Sequence, residues 1–438
     1  MVITMKEETM SLLIKNGVVL DPSADQAIRR DVYIDRGVIQ DQIPDSEQSN
    51  SIQVLDAAGC WVMPGFIDLH VHLREPGLTH KETIATGSAA AAAGGFTTIC
   101  AMPNTVPVTD SAEIVRYILG QAAKAPYTHV LPVGSITLGQ EGRELSHMDE
   151  MAAAGVCAFS EDGKSVMNAA LMKQAMEKAK ALGLPILDHC EDISLAGGCV
   201  NEGENAQRAG LPGISRDAEE LMTARDIMLA ASTGVKLHIC HVSTAGSVEI
   251  IREAKKRGIP ITAEACPHHF TLSDESILTQ DPNFKMSPPL RTKGDVQAIL
   301  DGLADGTLDC IATDHAPHHA EDKNTDMQSA ANGIVGLETA LSLSVTRLTS
   351  PGILTPLALA KCLSYNPAKI IGLDRGEIRP HKPADVVIVN PAKQYVVDKN
   401  SFYTKGRNTP FHGMTLQGKV EATILDGRIV YQNGKVYK

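Results

Sequence analysis

The sequence contains no uninterrupted apolar stretch close to the roughly 20 residues that a membrane-spanning helix needs. Its first 20 residues hold only a short apolar run between charged residues, so we expect neither a signal peptide nor a membrane span. No two of the nine cysteines form a CxxC pair, and most lie in apolar segments. This pattern is typical of buried free thiols and predicts a cytoplasmic protein.

Positive charge is also scarce. The chain has 40 Lys and Arg against 52 Asp and Glu, which gives a formal net charge of -12. Such a surface is a poor partner for nucleic acid or for an anionic membrane. The sequence also lacks a glycine-rich phosphate loop, which argues against a phosphate-binding or sugar-binding barrel. A small anionic substrate would therefore need specific local cations.

The middle of the 438-residue chain repeats one pattern, in which an apolar run and a turn precede an alanine-rich amphipathic stretch. Strands that alternate with helices pair in parallel, so eight such units predict an α/β fold of the (β/α)8 TIM barrel type. A doubly wound open sheet is the alternative. The predicted strands are 62–69, 97–102, 129–133, 156–159, 185–188, 236–240, 260–264 and 308–313. The predicted helices include 83–93, 169–182, 217–231, 247–257 and 294–304.

The two ends of the chain differ from this middle. Residues 11–57 and about 375–438 contain short alternating strands, with hairpin signals at Asp35-Arg36-Gly37, Asp426-Gly427 and Asn433-Gly434. We predict that the two ends combine into one small β-sandwich beside the barrel. The predicted division is 1–60 for the N-terminal part of the sandwich, 61–372 for the barrel and 373–438 for the C-terminal part.

Several of the predicted barrel strands end in residues of the types that bind metal ions. The active site of a TIM barrel lies at the C-terminal ends of its strands, so this recurrence indicates one shared site rather than packing. His70 and His72 are separated by one residue, and the alternation of side chains along a strand turns both toward the barrel mouth. The other candidate ligands at strand ends are Asp162, His189, His241 and Asp314.

Four histidines and two aspartates are enough for two zinc ions with open positions for water and substrate. The excess of imidazole favours zinc over magnesium, while cobalt or manganese could substitute. A carboxylate beside such a metal can carry a proton from water to a leaving nitrogen, so we predict hydrolysis of an amide-like bond with Asp314 as the catalytic residue. His238, His268 and His269 are predicted to lie outside the ligand set.

The sequence resembles the class I dihydroorotases over nearly its whole length, at HVHLREPG, MPNT, FSEDG, DHCED, HVST, PPLR, ATDHAPH, GIVGLET and NTPFHG. Many amidohydrolases share the HxH and TDHAP elements, whereas REPG after HxH, together with MPNT and GIVGLE, points to this one family. The resemblance implies the reversible cyclisation of N-carbamoyl-L-aspartate to L-dihydroorotate in de novo pyrimidine biosynthesis. It also implies a homo-oligomer, with aspartate transcarbamoylase as a candidate partner.

The same resemblance assigns roles to the candidate ligands. His70 and His72 would bind the first metal with Asp314 nearby, and His189 and His241 would bind the second. Asp162 occupies the place of the bridging carboxylate. Two alternatives for the bridge stay open, namely Glu161 and a carboxylated lysine, for which Lys164 is the nearby residue.

The implied substrate carries a carboxylate, which a net-negative protein must hold with a local fork of donors. We predict that Arg74 supplies a guanidinium, Asn104 an amide and His318 a ring nitrogen. The family usually has Asn before PPLR and Phe-Gly before IVGLE. This chain has Ser287 and Asn332-Gly333 at those positions. These three residues are also predicted to bind substrate, although the departures put the contacts to the substrate ring in question.

Two other functions fit part of this pattern. A hydantoinase, dihydropyrimidinase or allantoinase would act on a neutral ring, and Arg74 argues against such a substrate. An inactive dihydroorotase-like subunit that supports aspartate transcarbamoylase would have no need of the six candidate ligands, all of which are present.

Overall fold

The structure is a computed structural model, and it describes residues 11–44 and 52–438. The part of the signal-peptide prediction that concerns residues 1–10 lies outside the described residues, as do positions 45–51 of the predicted N-terminal half of the sandwich. The described chain starts with the strands β1 Ser11–Lys15, β2 Val18–Asp21, β3 Gln26–Arg29, β4 Val32–Asp35, β5 Val38–Ile39, β6 Ile52–Asp56 and β7 Trp61–Pro64.

The barrel occupies the middle of the chain. The strands there are β8 Phe66–Val71, β9 Phe96–Ala101, β10 His129–Ser135, β11 Ala158–Ser160, β12 Ile186–Asp188, β13 Val200–Asn201, β14 Gly213–Ile214, β15 Leu237–Ile239, β16 Ile261–Ala265 and β17 Cys310–Ile311. All of these except the short pair β13 and β14 form one eight-stranded parallel sheet in chain order. The sheet closes where Val71 bridges His315 and the His72 amide donates to the His315 carbonyl at 2.9 Å. The TIM barrel is therefore confirmed, and the open-sheet alternative is wrong.

The start of the first predicted strand, 62–69, is wrong. Trp61–Pro64 pairs with β2 in a different sheet, and the first barrel strand begins at Phe66. Gly65 makes the step between the two sheets. A Cβ atom on Gly65 would lie 2.2 Å from the Thr97 hydroxyl, so only glycine allows this close approach.

The helices follow the strands as predicted, with bounds that differ by a few residues. They are α1 Ile84–Gly94, α2 Ala112–Ala122, α3 Met148–Ala154, α4 Ala169–Leu182, α5 Glu204–Ala209, α6 Asp217–Thr233, α7 Ala245–Lys256, α8 Lys293–Ala304, α9 Ala320–Lys323, α10 Ala340–Ser344, α11 Pro356–Ala360 and α12 Asn366–Ile370. The bounds predicted for α4 agree with the structure because its end signals are strong. The Asn168 side chain accepts the first free amides, and Gly183 ends the helix in the left-handed conformation at φ 73°.

The sandwich is built by both ends of the chain, as predicted. Its C-terminal strands are β18 Val386–Val396, β19 Thr415–Leu425, β20 Arg428–Gln432 and β21 Lys435–Val436. A four-stranded sheet in the order β5-β4-β1-β6 accompanies a seven-stranded sheet in the order β21-β20-β19-β18-β7-β2-β3. Ile14 and Ile34 of the first sheet share one buried apolar cluster with Val62, Val386 and Ile424 of the second. Among residues 11–44 and 52–438, no helix has both the length and the apolar character needed to cross a membrane.

Candidate metal centre and substrate pocket

The barrel brings all six candidate metal ligands to its C-terminal end. His70 lies in β8 and His72 directly after it, while the other four lie one to three residues past β11, β12, β15 and β17. His241 and Asp314 have φ angles of 33° and 48°. This left-handed region is uncommon for residues other than glycine and recurs at functional sites, where the surrounding structure holds a side chain in a required direction.

Asp162 lies between two groups of histidines. Its Oδ1 is 3.1 Å from His70 Nε2, and its Oδ2 is 3.4 Å from His72 Nε2. On the other side, Oδ1 is 3.5 Å from His189 Nδ1 and 3.6 Å from His241 Nε2. Those two ring nitrogens are 2.8 Å apart and converge on the same point. One carboxylate therefore belongs to two separate sets of donor atoms.

The donor atoms fit a metal. Tetrahedral zinc with bonds of about 2.1 Å places neighbouring ligand atoms roughly 3.4 Å apart. The distances around Asp162 scatter about this value, and each of the two sets keeps its donor atoms within 4.8 Å of one another. In addition, His70 Nε2 is buried and has no partner in hydrogen-bond geometry among the described residues, although Asp162 Oδ1 lies 3.1 Å away. Such an atom is costly to bury unless another group binds it. These buried clusters are therefore compatible with a metal site.

Asp314 lies on the side of Asp162 that holds the first two histidines. Its Oδ1 is 3.1 Å from His72 Nε2 and 3.6 Å from His70 Nε2. Burial raises the pKa of the Asp314 carboxyl, but hydrogen bonding to His72 and the charges of His70, His72 and His241 outweigh it and hold the pKa below its usual range. The side chain is therefore ionised at neutral pH.

The two alternative bridging residues are engaged elsewhere. The Glu161 carboxylate accepts the backbone amides of Ile136 and Thr137 at 3.1 and 3.0 Å, together with the Thr137 hydroxyl. Lys164 Nζ donates to the carbonyl of Gln140 at 2.9 Å. These contacts hold the loops after β10 and β11 together, so Asp162 is the bridging candidate that the geometry favours.

Glu264, which was not among the predicted site residues, orients one of the candidate ligands. Its Oε1 accepts a hydrogen bond from His70 Nδ1 at 3.0 Å, and its Oε2 lies 2.9 Å from His238 Nε2. Burial raises the pKa of Glu264, but hydrogen bonds from His238 and His70 lower it to about 2. This carboxylate fixes the ring of His70 with Nε2 directed at Asp162, as carboxylates behind metal-binding histidines commonly do. The two ring nitrogens of His238 contact Glu264 and Thr262.

A cavity of about 240 Å³ opens onto the centre. The predicted site residues other than His70 line it, namely His72, Arg74, Asn104, Asp162, His189, His241, Ser287, Asp314, His318, Asn332 and Gly333. Gly163, Glu191 and Ala316 complete the lining. The predicted substrate-binding residues thus share one pocket with five of the six predicted metal ligands.

Arg74 and His318 form one wall of this pocket. Arg74 Nε donates to the Pro317 carbonyl at 3.2 Å, and its NH2 nitrogen is 3.4 Å from His318 Nε2. Burial lowers the pKa of Arg74 to about 10, so the guanidinium keeps its charge at neutral pH. Burial, together with the charges of Arg74 and Lys81, lowers the pKa of His318 to about 3, so its ring is neutral. The wall therefore presents one fixed cation beside the candidate metal centre.

Asn104 and Ser287 make contacts that the sequence analysis did not anticipate. The Asn104 side-chain oxygen accepts from His72 Nδ1 at 2.9 Å, so this amide also orients a candidate ligand. The Ser287 hydroxyl donates to Glu191 Oε1 at 3.2 Å, while Glu191 Oε2 is 3.6 Å from His189 Nε2. Glu191 was the available signal in DHCED, where a carboxylate follows a candidate ligand by two residues.

Comparisons with known proteins show the family and the fold of this chain. A family model described as dihydro-orotase-like matches residues 59–247. A dihydroorotase from Caldanaerobacter subterraneus subsp. tengcongensis is 49% identical and aligns over 98% of this chain and 99% of its own. A dihydroorotase from Syntrophus aciditrophicus is 48% identical, with 97% and 100% covered. An L-hydantoinase structure from Arthrobacter aurescens superimposes with a TM-score of 0.88 at 24% identity, over 98% of this chain and 97% of that chain, and thus shares the fold.

Proposed function

Because the chain belongs to the dihydroorotase family and is a hydrolase of a cyclic amide, we propose that it works through two zinc ions at the barrel mouth. Dihydroorotases interconvert N-carbamoyl-L-aspartate and L-dihydroorotate. The observation that carries the proposal is the position of Asp162 between two sets of histidine nitrogens. His70 and His72 would hold one ion, and His189 and His241 the other, with Asp162 between them.

The proposed mechanism divides the work between the metals and Asp314. When bound, the two zinc ions would polarise the ring carbonyl and increase the acidity of the attacking water. Asp314 accepts the proton of this water on its carboxylate and returns it to the ring nitrogen as the C–N bond breaks. In the direction of ring closure, the same carboxylate takes the proton from the attacking nitrogen and gives it to the departing carboxyl oxygen, which leaves as water. The low pKa of Asp314 keeps it ionised and ready for this role at neutral pH.

The substrate would be held by the residues that line the rest of the cavity. Arg74 binds the ring carboxylate because its guanidinium is charged and lies in the pocket wall. Asn104 adds a neutral N–H donor, because only its oxygen is engaged by His72. His318 and Ser287 add neutral polar side chains whose hydrogens go to Asn332 and Glu191, and the Asn332-Gly333 loop lies beside His318. A neutral cyclic amide would leave Arg74 unpaired in a desolvated site, which disfavours it as a substrate.

We expect protein reconstituted with zinc to contain about two zinc ions per chain, because a single ion would leave one set of histidine nitrogens empty. Elemental analysis of the purified chain, before and after dialysis against a chelator, measures this content. Zinc that stays near one equivalent would remove the second ion from the proposal. A chain that binds none would reject the metal centre.

Replacement of Arg74 by Lys should lower kcat/KM for dihydroorotate by roughly tenfold or more, equivalent to about 1.4 kcal/mol. Lysine keeps the charge but loses the planar two-pronged geometry that matches a carboxylate. Steady-state kinetics at saturating zinc provide the measurement. Arg143→Lys is a matched control because Arg143 is exposed and, among the described residues, forms an ion pair with Glu141 alone. Unchanged kinetics for Arg74→Lys would mean that another cation reads the carboxylate.

The remaining properties are proposed from the resemblance and are open to direct test. Loss of dihydroorotate absorbance should exceed the turnover of dihydrouracil, hydantoin and allantoin measured in parallel.

The absence of disulfides among the nine cysteines supports a cytoplasmic location. Sedimentation of the protein alone and with aspartate transcarbamoylase would measure homo-oligomer formation and any association between the two.

A further inference from the structure

Asn408 belongs to the segment that connects β18 with β19 of the sandwich, yet its side chain contacts two loops at the barrel mouth. Its Oδ1 accepts the backbone amide of His318 at 3.1 Å. Its Nδ2 donates to the carbonyls of Ala316 and Gly333 at 2.9 and 3.1 Å. The side chain is 4% exposed, and both of its N–H groups and its oxygen are engaged. One carboxamide therefore holds three backbone groups of two separate loops.

These two loops form one side of the substrate pocket. His318 and Gly333 line the cavity, and His318 Nε2 donates to the Asn332 carbonyl at 2.8 Å. The Ala316 amide donates to the Ile334 carbonyl at 2.8 Å, so the loops touch at their bases as well. Asn408 links the two loops, and its hydrogen bonds to Ala316, His318 and Gly333 limit how far the loops can separate.

The connecting segment is held on the barrel independently of Asn408. Glu338 accepts the backbone amides of Tyr403 and Thr404 at 2.9 and 3.2 Å. Glu82 accepts the Lys405 amide at 3.3 Å and the Thr404 hydroxyl. The carboxamide of Asn408 is therefore presented from a fixed support, and a change of this side chain leaves the anchoring contacts of the segment in place.

A second group holds the Gly333 loop from the other side. Lys323 Nζ is buried and donates to the carbonyls of Ala331 and Gly333 at 2.8 and 3.1 Å, and to that of Lys285 at 3.1 Å. Loss of the Asn408 contacts would leave this loop partly anchored. The loop that carries Ala316 and His318 would then be the one free to shift.

We propose that Asn408 is a positioning residue for the substrate site, through which the sandwich segment sets the distance between His318 and the Asn332-Gly333 loop. The effect falls on substrate binding, because the neighbours of Asp314 have anchors of their own: the Thr313 amide donates to Asp68, and the His315 carbonyl accepts the His72 amide. Among the described residues, the hydrogen bonds of the Asn408 side chain reach neither Asp314 nor the candidate histidine ligands. The inference rests on the proposed substrate role of His318, Asn332 and Gly333.

The test is Asn408→Asp, which preserves the size of the side chain and the acceptor for the His318 amide. It replaces the two N–H donors with an oxygen that faces the Ala316 and Gly333 carbonyls. We expect KM for dihydroorotate to rise by roughly tenfold while kcat changes by less than about threefold. Zinc content should equal that of the wild type. Asn366→Asp is the matched control, since the Asn366 amide donates to the Asp309 carbonyl at 2.7 Å at the opposite end of the barrel.

Several results would overturn the proposal. An unchanged KM in folded Asn408→Asp would do so, as would a KM effect of equal size in Asn366→Asp. A parallel loss of kcat and zinc would assign Asn408 to general stability instead. If the Asp variant does not fold, Asn408→Ser supplies the same comparison without a new charge, and failure of both variants to fold also assigns the residue to stability. Wild-type turnover of dihydroorotate tests the proposed function separately, because this inference depends only on the difference from wild type.

Discussion

Asp314→Asn should lower the turnover of dihydroorotate by roughly 10²–10⁴-fold, the usual range for a lost general base. Asparagine is nearly isosteric and can still offer an oxygen to the histidine side of the centre, where Asp314 Oδ1 lies 3.1 Å from His72 Nε2. It cannot accept a proton at neutral pH. We therefore expect kcat to fall while the fold and the zinc content change little.

Three measurements on the Asp314 variant separate its possible roles. Steady-state kinetics give the loss of kcat, elemental analysis gives the zinc content, and circular dichroism reports the fold. Loss of zinc together with activity would make Asp314 mainly a ligand. A kcat close to that of the wild type would remove it from proton transfer altogether.

Asp162→Ala should reduce zinc from about two ions per chain to one or fewer and lower kcat by more than about 100-fold, beyond the 10–100-fold typical of a lost outer-sphere partner. The reason is that its two oxygens face both sets of histidine nitrogens, at 3.1–3.6 Å. Removal of this one side chain would withdraw a ligand from each ion.

Glu161→Gln is the matched control for this experiment, because the neighbouring carboxylate accepts the amides of Ile136 and Thr137 instead. It should retain both zinc ions and most of the activity, with a lower melting temperature as the main effect. The opposite pattern, with zinc lost from Glu161→Gln and kept in Asp162→Ala, would transfer the bridge to Glu161.

Most of the fold could be predicted from the sequence, because the sequence patterns that indicate its strands and helices are local. Apolar runs followed by amphipathic helices indicate parallel strands, and end signals such as Asn168 and Gly183 delimit a helix without any distant contact. The step at Gly65 was not readable. The apolar run continues from Val62 to Leu69, and hydrophobicity alone does not reveal that the chain passes from one sheet to another within it.

The candidate ligands could be selected for a related reason. In a closed parallel barrel the C-terminal ends of all strands meet at one face, so residues as distant in sequence as His70 and Asp314 must lie near each other once the fold is known. The choice between Glu161 and Asp162 as the bridging carboxylate depends on the tertiary structure. Adjacent residues past a strand end differ in direction, and only the turn after β11 decides which carboxylate faces the histidines.

The sequence by itself thus determined the barrel, the two-ended sandwich and the side chains able to bind metal, because strand periodicity and strand-end position are properties of local sequence. Tertiary structure alone decided which groups support them. Glu264 contacts His70 from another strand, and Asn408 reaches His318 and Gly333 from the sandwich. Such contacts depend on the spacing and orientation of elements distant in the chain, and a single sequence carries no periodic signal for them.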